Sequence, residues 1–179
     1  MEDVLDRYAE SADPHRPRVC LDEVPVQLIS ETRTPQPVAP GQPARIDYEY
    51  RREGTANLFG LFQPEAGFRP VTVPARRTAQ DLAYQLKALV AVQYPEAAVI
   101  RLVTDNCNIH TPASLYETFA PEEARRIAAK LEWHYTPKHA RWLHPVEIEI
   151  SVLVRQCLDR RIPNQVQLAA EAAAWEESR

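Results

Sequence analysis

The sequence predicts a mixed α/β domain, a sheet with helices packed against it, and three of its features carry that expectation. Strand-like runs dominate residues 18–64: RVCLDEVPVQLIS, RIDYEYRR and TANLFGLFQP. After Thr78 the apolar residues switch to helical spacing, with Leu82, Leu86, Leu89 and Val90 on one stripe. A continuous apolar run, AAVIRLVTDN, then opens a further alternation of helical and strand patterns. At 179 residues a single domain with a true core is expected.

Taken in order, residues 1–17 are polar and read as a short helix or disordered lead-in. Residues 18–30 predict a central strand. TPQPVAPGQP, with prolines at 35, 37, 40 and 43, cannot be regular structure and predicts a long exposed loop or wide hairpin connection. Residues 45–52 set Ile46, Tyr48 and Tyr50 against Asp47, Glu49 and Arg51, which is strand periodicity. Glu53-Gly54 reads as a turn before a strand over 55–64, and FRPVTVPA (68–75) as another short strand. Thr78 with Asp81 resembles an N-cap, and that helix should stop near Tyr94-Pro95. Residues 97–106 predict a buried strand, 121–131 a helix with Pro121 in its first turn, and LEWHYTP a short strand. WLHPVEIEIS is ambiguous at first sight, but Val146, Ile150, Leu153, Val154 and Cys157 share one helical face. A helix from Pro145 follows, with Ile148 off the stripe and packing expected on two sides. The alanine-rich NQVQLAAEAAAWEES predicts a last amphipathic helix that packs through Val166, Leu168 or Ala169, Ala173 and Trp175.

Composition narrows the function classes. Hydrophobic content of 45% and charged content of 26% are ordinary globular values and give no support to a fibrous or disordered chain. No apolar run of 18 residues exists, so no membrane association is expected, and MEDVLDRYAE lacks the features of a secretory signal. Cys20, Cys107 and Cys157 lie in apolar runs and cannot all pair, which fits buried thiols in a cytoplasmic protein. No CxxC or HxxxH pair suggests a zinc site. The net charge of −4 counts against a stand-alone nucleic-acid binder. From Arg125 to Arg161, however, eight Lys/Arg stand against four acids. Such a basic surround suits a phosphate substrate, although a solvated mixed face is the ordinary alternative.

Three acids stand out by position. Asp22 follows VCL inside the first strand, Asp105 closes the second buried strand, and Glu147 opens the helix after Pro145. Acids on strands about 4.8 Å apart can share a divalent ion, completed by one from a packed helix. Magnesium takes such hard oxygen ligands together with water and phosphate oxygens. Each acid also has an ordinary reading: an edge-strand acid, a turn former before Asn106, and a first-turn acid facing the helix dipole.

LDE near the start, DNCNIH, and TPKHARWLHPVEIEIS together resemble the DDE transposases of bacterial insertion sequences, in the IS-six-thirty group related to the mariner elements. YEYRREGTANLFGLFQPEAG and RQCLDRRIPN are similar too, so the likeness runs from about residue 18 to 177. The resemblance implies an RNase H-like fold, a five-stranded mixed sheet flanked by helices, over residues 18–179. It implies Asp22, Asp105 and Glu147 as catalytic and metal-binding residues, using Mg2+ or Mn2+, with two ions. The implied activity is cleavage of double-stranded DNA at transposon ends and joining of the freed 3′-hydroxyl to target DNA, in the bacterial cytoplasm and on the nucleoid.

Asn106, Asn108 and His110 match family positions beside the second acid, and Lys138, His139 and Trp142 match positions before the third. Lys138, His139 and Arg141 are expected to contact or position DNA, with Asn106, Asn108 and His110 beside them. Trp142 is expected to pack against the last helix, and Glu23 and Glu149 to serve as support or surface. Two departures are present: Ala140-Arg141 where the family has Gly-Ser, and His144-Pro145 where it has Asn-Met. Family members also carry N-terminal helix-turn-helix domains, and none is expected in the 21 residues before Asp22. The expectation is half of a split transposase, a truncated remnant or an isolated catalytic domain, acting as a homodimer or with a separately encoded DNA-binding half.

Two further readings compete. One is a non-catalytic remnant persisting as an interaction or regulatory module, which manganese titration would separate from an active enzyme. The other is a stand-alone RNase H-like or resolvase-type nuclease, which cleavage of hybrid, junction and linear duplexes would separate.

Overall fold

The computed structural model describes residues 1–74 and 76–179. Five strands form one sheet: β1 (Arg18–Glu31), β2 (Tyr50–Phe62), β3 (Val71–Thr72), β4 (Ile100–Thr104) and β5 (Leu131–Tyr135). Their spatial order is β3-β2-β1-β4-β5. β1 runs antiparallel to β2, and β4 runs parallel to both β1 and β5, so the sheet is mixed. The first half of β1 is buried because it lies between β2 and β4, while its second half, paired on one edge only, alternates between half-buried and exposed.

Helices cover both faces. On one, α2 (Ala79–Ala88), α3 (Ala113–Thr118) and α4 (Pro121–Ala128) pack Leu82, Leu86, Leu115 and Ile127 against Val19, Leu21 and Phe59. On the other, α5 (Pro145–Leu153) and α6 (Gln165–Glu177) cover Leu58 and Cys20 through Val146, Ile150, Leu153, Leu168 and Trp175. The period of two along β1 divides its side chains between these layers. α1 (Glu2–Ala9) closes the edge: Val4 is buried, and the Tyr8 hydroxyl donates to the Leu143 carbonyl at 2.7 Å. The lead-in is therefore helical over Glu2–Ala9, with residues 10–17 irregular, and is tied to the loop that precedes α5.

The N-cap of α2 is as expected, with Thr78 and Asp81 forming a reciprocal capping box. α5 begins with Pro145 in its first turn and carries Glu147 there. Gly60, opposite Asp22 in the β1–β2 ladder, lets α5 approach the sheet closely. A Cβ at that position would lie 3.1 Å from Ile150 Cγ1 and 3.3 Å from Val146 Cγ2.

Several elements differ from the sequence reading. Glu53-Gly54 is no turn: β2 passes straight through it, and a register shift opposite Leu28/Ile29 absorbs the extra residue as a bulge. Residues 45–49 form no strand of the sheet, and Ile46 and Tyr48 are exposed, since no layer among the described residues covers that extension. The strand expected over 68–75 is confined to Val71–Thr72, and residue 75 lies outside the described residues. α3 was not expected. Ile148 is 58% exposed, so α5 packs on one side, against the sheet. In α6 the packing residues are Leu168, Ala172 and Trp175, with Val166 and Ala173 outward. Cys20 is buried, whereas Cys107 and Cys157 are only half-buried, and all three are free.

Candidate active site

The three acids lie near the carboxyl end of the parallel strands, but only Asp22 and Glu147 come together in one donor cluster, and Asp105 is not part of it. Asp22 points to the α5 face of β1, Asp105 follows the last residue of β4, and Glu147 sits in the first turn of α5. Asp22 and Glu147 each present a carboxylate oxygen within 4.8 Å of the other and of a ring nitrogen of His144. Burial and then the negative charges of Glu23, Asp105 and Glu147 push the Asp22 carboxyl up to about 7, with the Glu23 amide at 2.8 Å only partly offsetting them. Asp105 thus stands close enough to act on Asp22 electrostatically. Such crowding of carboxylates is relieved by a divalent cation, and the donor set fits one.

Asp105 is held by its own loop. Its Oδ1 accepts from the Cys107 amide at 2.9 Å and lies 2.6 Å from His110 Nδ1. His110 is fully buried, and its Nε2 meets Glu23 Oε2 at 2.8 Å. Burial works against the imidazolium, but the bonds to Asp105 and Glu23 outweigh it and push the ring up to about 10. The same His110 bond holds the Asp105 carboxyl below its usual range. Glu23 is therefore a buried counter-ion on the far face of β1, also 3.7 Å from Arg77 Nη1. His110 supports Asp105 from within and is out of reach of a DNA surface.

His144, the residue before Pro145, is also fully buried. Its Nε2 is 3.3 Å from the Val103 carbonyl, and its Nδ1 is 3.8 Å from Asp22 Oδ2. Here burial dominates, and the ring is pushed down to about 4. The sequence marked this histidine only as a departure. Its ligand-like placement depends on α5 lying over the ends of β1 and β4.

A cleft of about 810 Å³ opens above the acids, lined by Asp105, Glu147, Lys138, His139 and Arg141 among others. Lys138, His139 and Arg141 are exposed at its rim, and His139 has a positive φ of 66°. Arg141 Nε lies 3.1 Å from Glu147 Oε1. Asn106 donates to the Thr136 carbonyl at 2.6 Å, tying the loop after β4 to the end of β5, while the exposed Asn108 lies outside this lining. Trp142 does not pack against the last helix: it is 69% exposed, because the short helical turn Arg141–Leu143 directs Leu143 inward instead. Glu149 faces Arg69 at 3.6 Å, away from the cleft.

A family model described as DDE superfamily endonuclease matches residues 17–169. No curated protein matches the chain in sequence. Among solved structures, the fold is similar to the Mos1 mariner paired end complex with Mn, with a TM-score of 0.61 and 19% identity over 99% of this chain and 53% of that one. The Mos1 Strand Transfer Complex gives a TM-score of 0.62 at 19% identity, over 99% of this chain and 52% of that one. A chain of the simian T-cell lymphotropic virus intasome in complex with PP2A regulatory subunit B56 gamma gives 0.54 at 10% identity, over 88% and 47%. These likenesses are of fold, and the chain spans about half the length of each of these structures.

Proposed function

Because the chain belongs to the DDE superfamily endonucleases, we propose that it cleaves DNA at the ends of an insertion sequence and joins the freed 3′-hydroxyl to a target. The observation that carries this reading is the meeting of Asp22 and Glu147 beneath a cleft that sets Lys138, His139 and Arg141 at its rim and Asp105 on its wall. Asp22, Asp105 and Glu147 would hold magnesium or manganese, as two ions. A divalent ion there supplies positive charge to the attacking and leaving oxygens of an in-line displacement. The residues of the chain do the rest. Lys138, His139 and Arg141 take phosphates of the duplex at the rim. His110, charged and clamped by Glu23, fixes the direction of Asp105. Asn106 holds the two strand-end loops together. In cleavage, water attacks phosphorus and the bond to the 3′ oxygen breaks, leaving a 3′-hydroxyl and a 5′-phosphate. In joining, that hydroxyl attacks a target phosphate and displaces its 3′ oxygen. The reading extends to a bacterial insertion sequence of the IS-six-thirty kind, acting on the nucleoid as a homodimer or with a DNA-binding partner half.

The test is Asp105→Asn. Manganese-dependent nicking of duplex DNA should fall by about a thousandfold or more, with divalent affinity falling alongside. Unchanged nicking and affinity would remove the proposal. The Arg141–Glu147 pair favours a second reading, an idle interaction module, because it sets a cation on a required carboxylate. In that case Arg141→Ser would be needed before any manganese binding appears in calorimetry.

A further inference from the structure

The buried ring nitrogen of His144 has no role in a site made of three carboxylates. Among the described residues its Nδ1 has no hydrogen-bond partner, although the side chain is wholly enclosed. The other nitrogen settles the tautomer. A carbonyl can only accept, so Nε2 carries the hydrogen that bonds Val103 O, and the Nδ1 lone pair is left facing Asp22 Oδ2 across 3.8 Å. A ring whose one nitrogen donates to a backbone carbonyl while the other presents its lone pair to acids is the usual arrangement of a metal-ligating histidine. Pro145 and the first turn of α5 hold it there, because His144 is the residue from which that helix starts.

We propose that His144 Nδ1 is a direct ligand, so that the ion shared by Asp22 and Glu147 sits in a mixed nitrogen–oxygen centre that takes a first-row transition ion in preference to magnesium. This rests on the metal-dependent reading above and deepens it. Magnesium demands hard oxygen ligands in near-ideal octahedral geometry, whereas imidazole suits the transition ions. The separations of up to 4.8 Å between donor atoms leave room for side-chain closure around one ion. The Arg141 guanidinium is the group that must swing out, and at 83% side-chain exposure it is free to do so.

The experiment is pulsed electron paramagnetic resonance of the full chain loaded with Mn2+, with calorimetric titration by Mn2+ and Mg2+ in parallel. The expected result is a directly coordinated 14N coupling in the unmodified protein, kept in His139→Ala and lost in His144→Asn. The Mn2+-over-Mg2+ affinity ratio should also drop by about tenfold in His144→Asn. If Mn2+ binds without nitrogen coupling, His144 is a packing residue, and the carboxylate reading stands without this addition. If the unmodified chain binds no Mn2+ at millimolar concentration, both fall. Should His144→Asn fail to fold, the spectrum of the unmodified chain together with His139→Ala still decides the matter.

Discussion

Two fully buried histidines meet the same cluster of acids and end in opposite charge states. His110 lies between Glu23 and Asp105, with a carboxylate on each nitrogen, and is held charged. His144 has a carbonyl on one nitrogen and a 3.8 Å gap on the other, and is held neutral. Both are desolvated, so burial alone predicts nothing about charge; the partner on the second nitrogen decides. The site thus contains a fixed internal cation that steadies one acid and an uncharged base left open toward another.

Breaking the charged member should have the largest effect. His110→Ala removes the buried partner of Glu23 and leaves that carboxylate only the more distant Arg77, at a cost of about 3–5 kcal/mol in chemical denaturation at pH 7. A histidine with a raised folded value contributes its stability fully below its unfolded value near 6.5. That contribution is lost as pH rises through about 10, so the gap between variant and unmodified protein should narrow between those limits. A gap that stays constant from pH 6 to 10 would contradict a charged His110.

Asp22 offers a smaller effect of opposite sign. Its folded value of about 7 lies above the unfolded carboxylate value near 4, so the folded protein loses stability as pH rises through that window. Asp22→Asn in metal-free buffer should therefore stabilise the fold by about 2–4 kcal/mol at pH 8 and change little at pH 4. Saturating Mn2+ should reverse the order, since only the unmodified site gains from the ion. The smallest effect belongs to the rim. Trp142→Ala should alter thermal stability by less than about 0.5 kcal/mol, because the ring is largely in solvent. A larger loss would mean that the loop needs the ring for its own structure.

What could be read in the sequence is what periodicity encodes. The period of two places Asp22 and Glu23 on opposite faces of β1, and the helical period after Pro145 puts Glu147 in a first turn. The likeness to a family supplied the pairing of distant acids. Local pattern failed where a tertiary layer was missing or added. Ile46, Tyr48 and Ile148 have the spacing of packed residues but meet no partner layer. Glu53-Gly54 has turn chemistry, yet its neighbour β1 continues past it and draws it into the ladder as a bulge. Glu23 and His110 are 87 residues apart, and their pairing has no sequence pattern. The placement of His144 beside Asp22 has no sequence pattern either, because its neighbours come from three separate elements.

Gly60 faces Asp22 across the β1–β2 ladder and lies under Val146 and Ile150, on either side of Glu147 along α5. The gauge of the acidic centre is therefore set by a single hydrogen atom in place of a methyl group, a few ångströms behind the groups that would touch an ion. Any side chain there would lift the helix like a shim under a hinge, widening the gap between Asp22 and Glu147 while leaving every acid in the sequence intact.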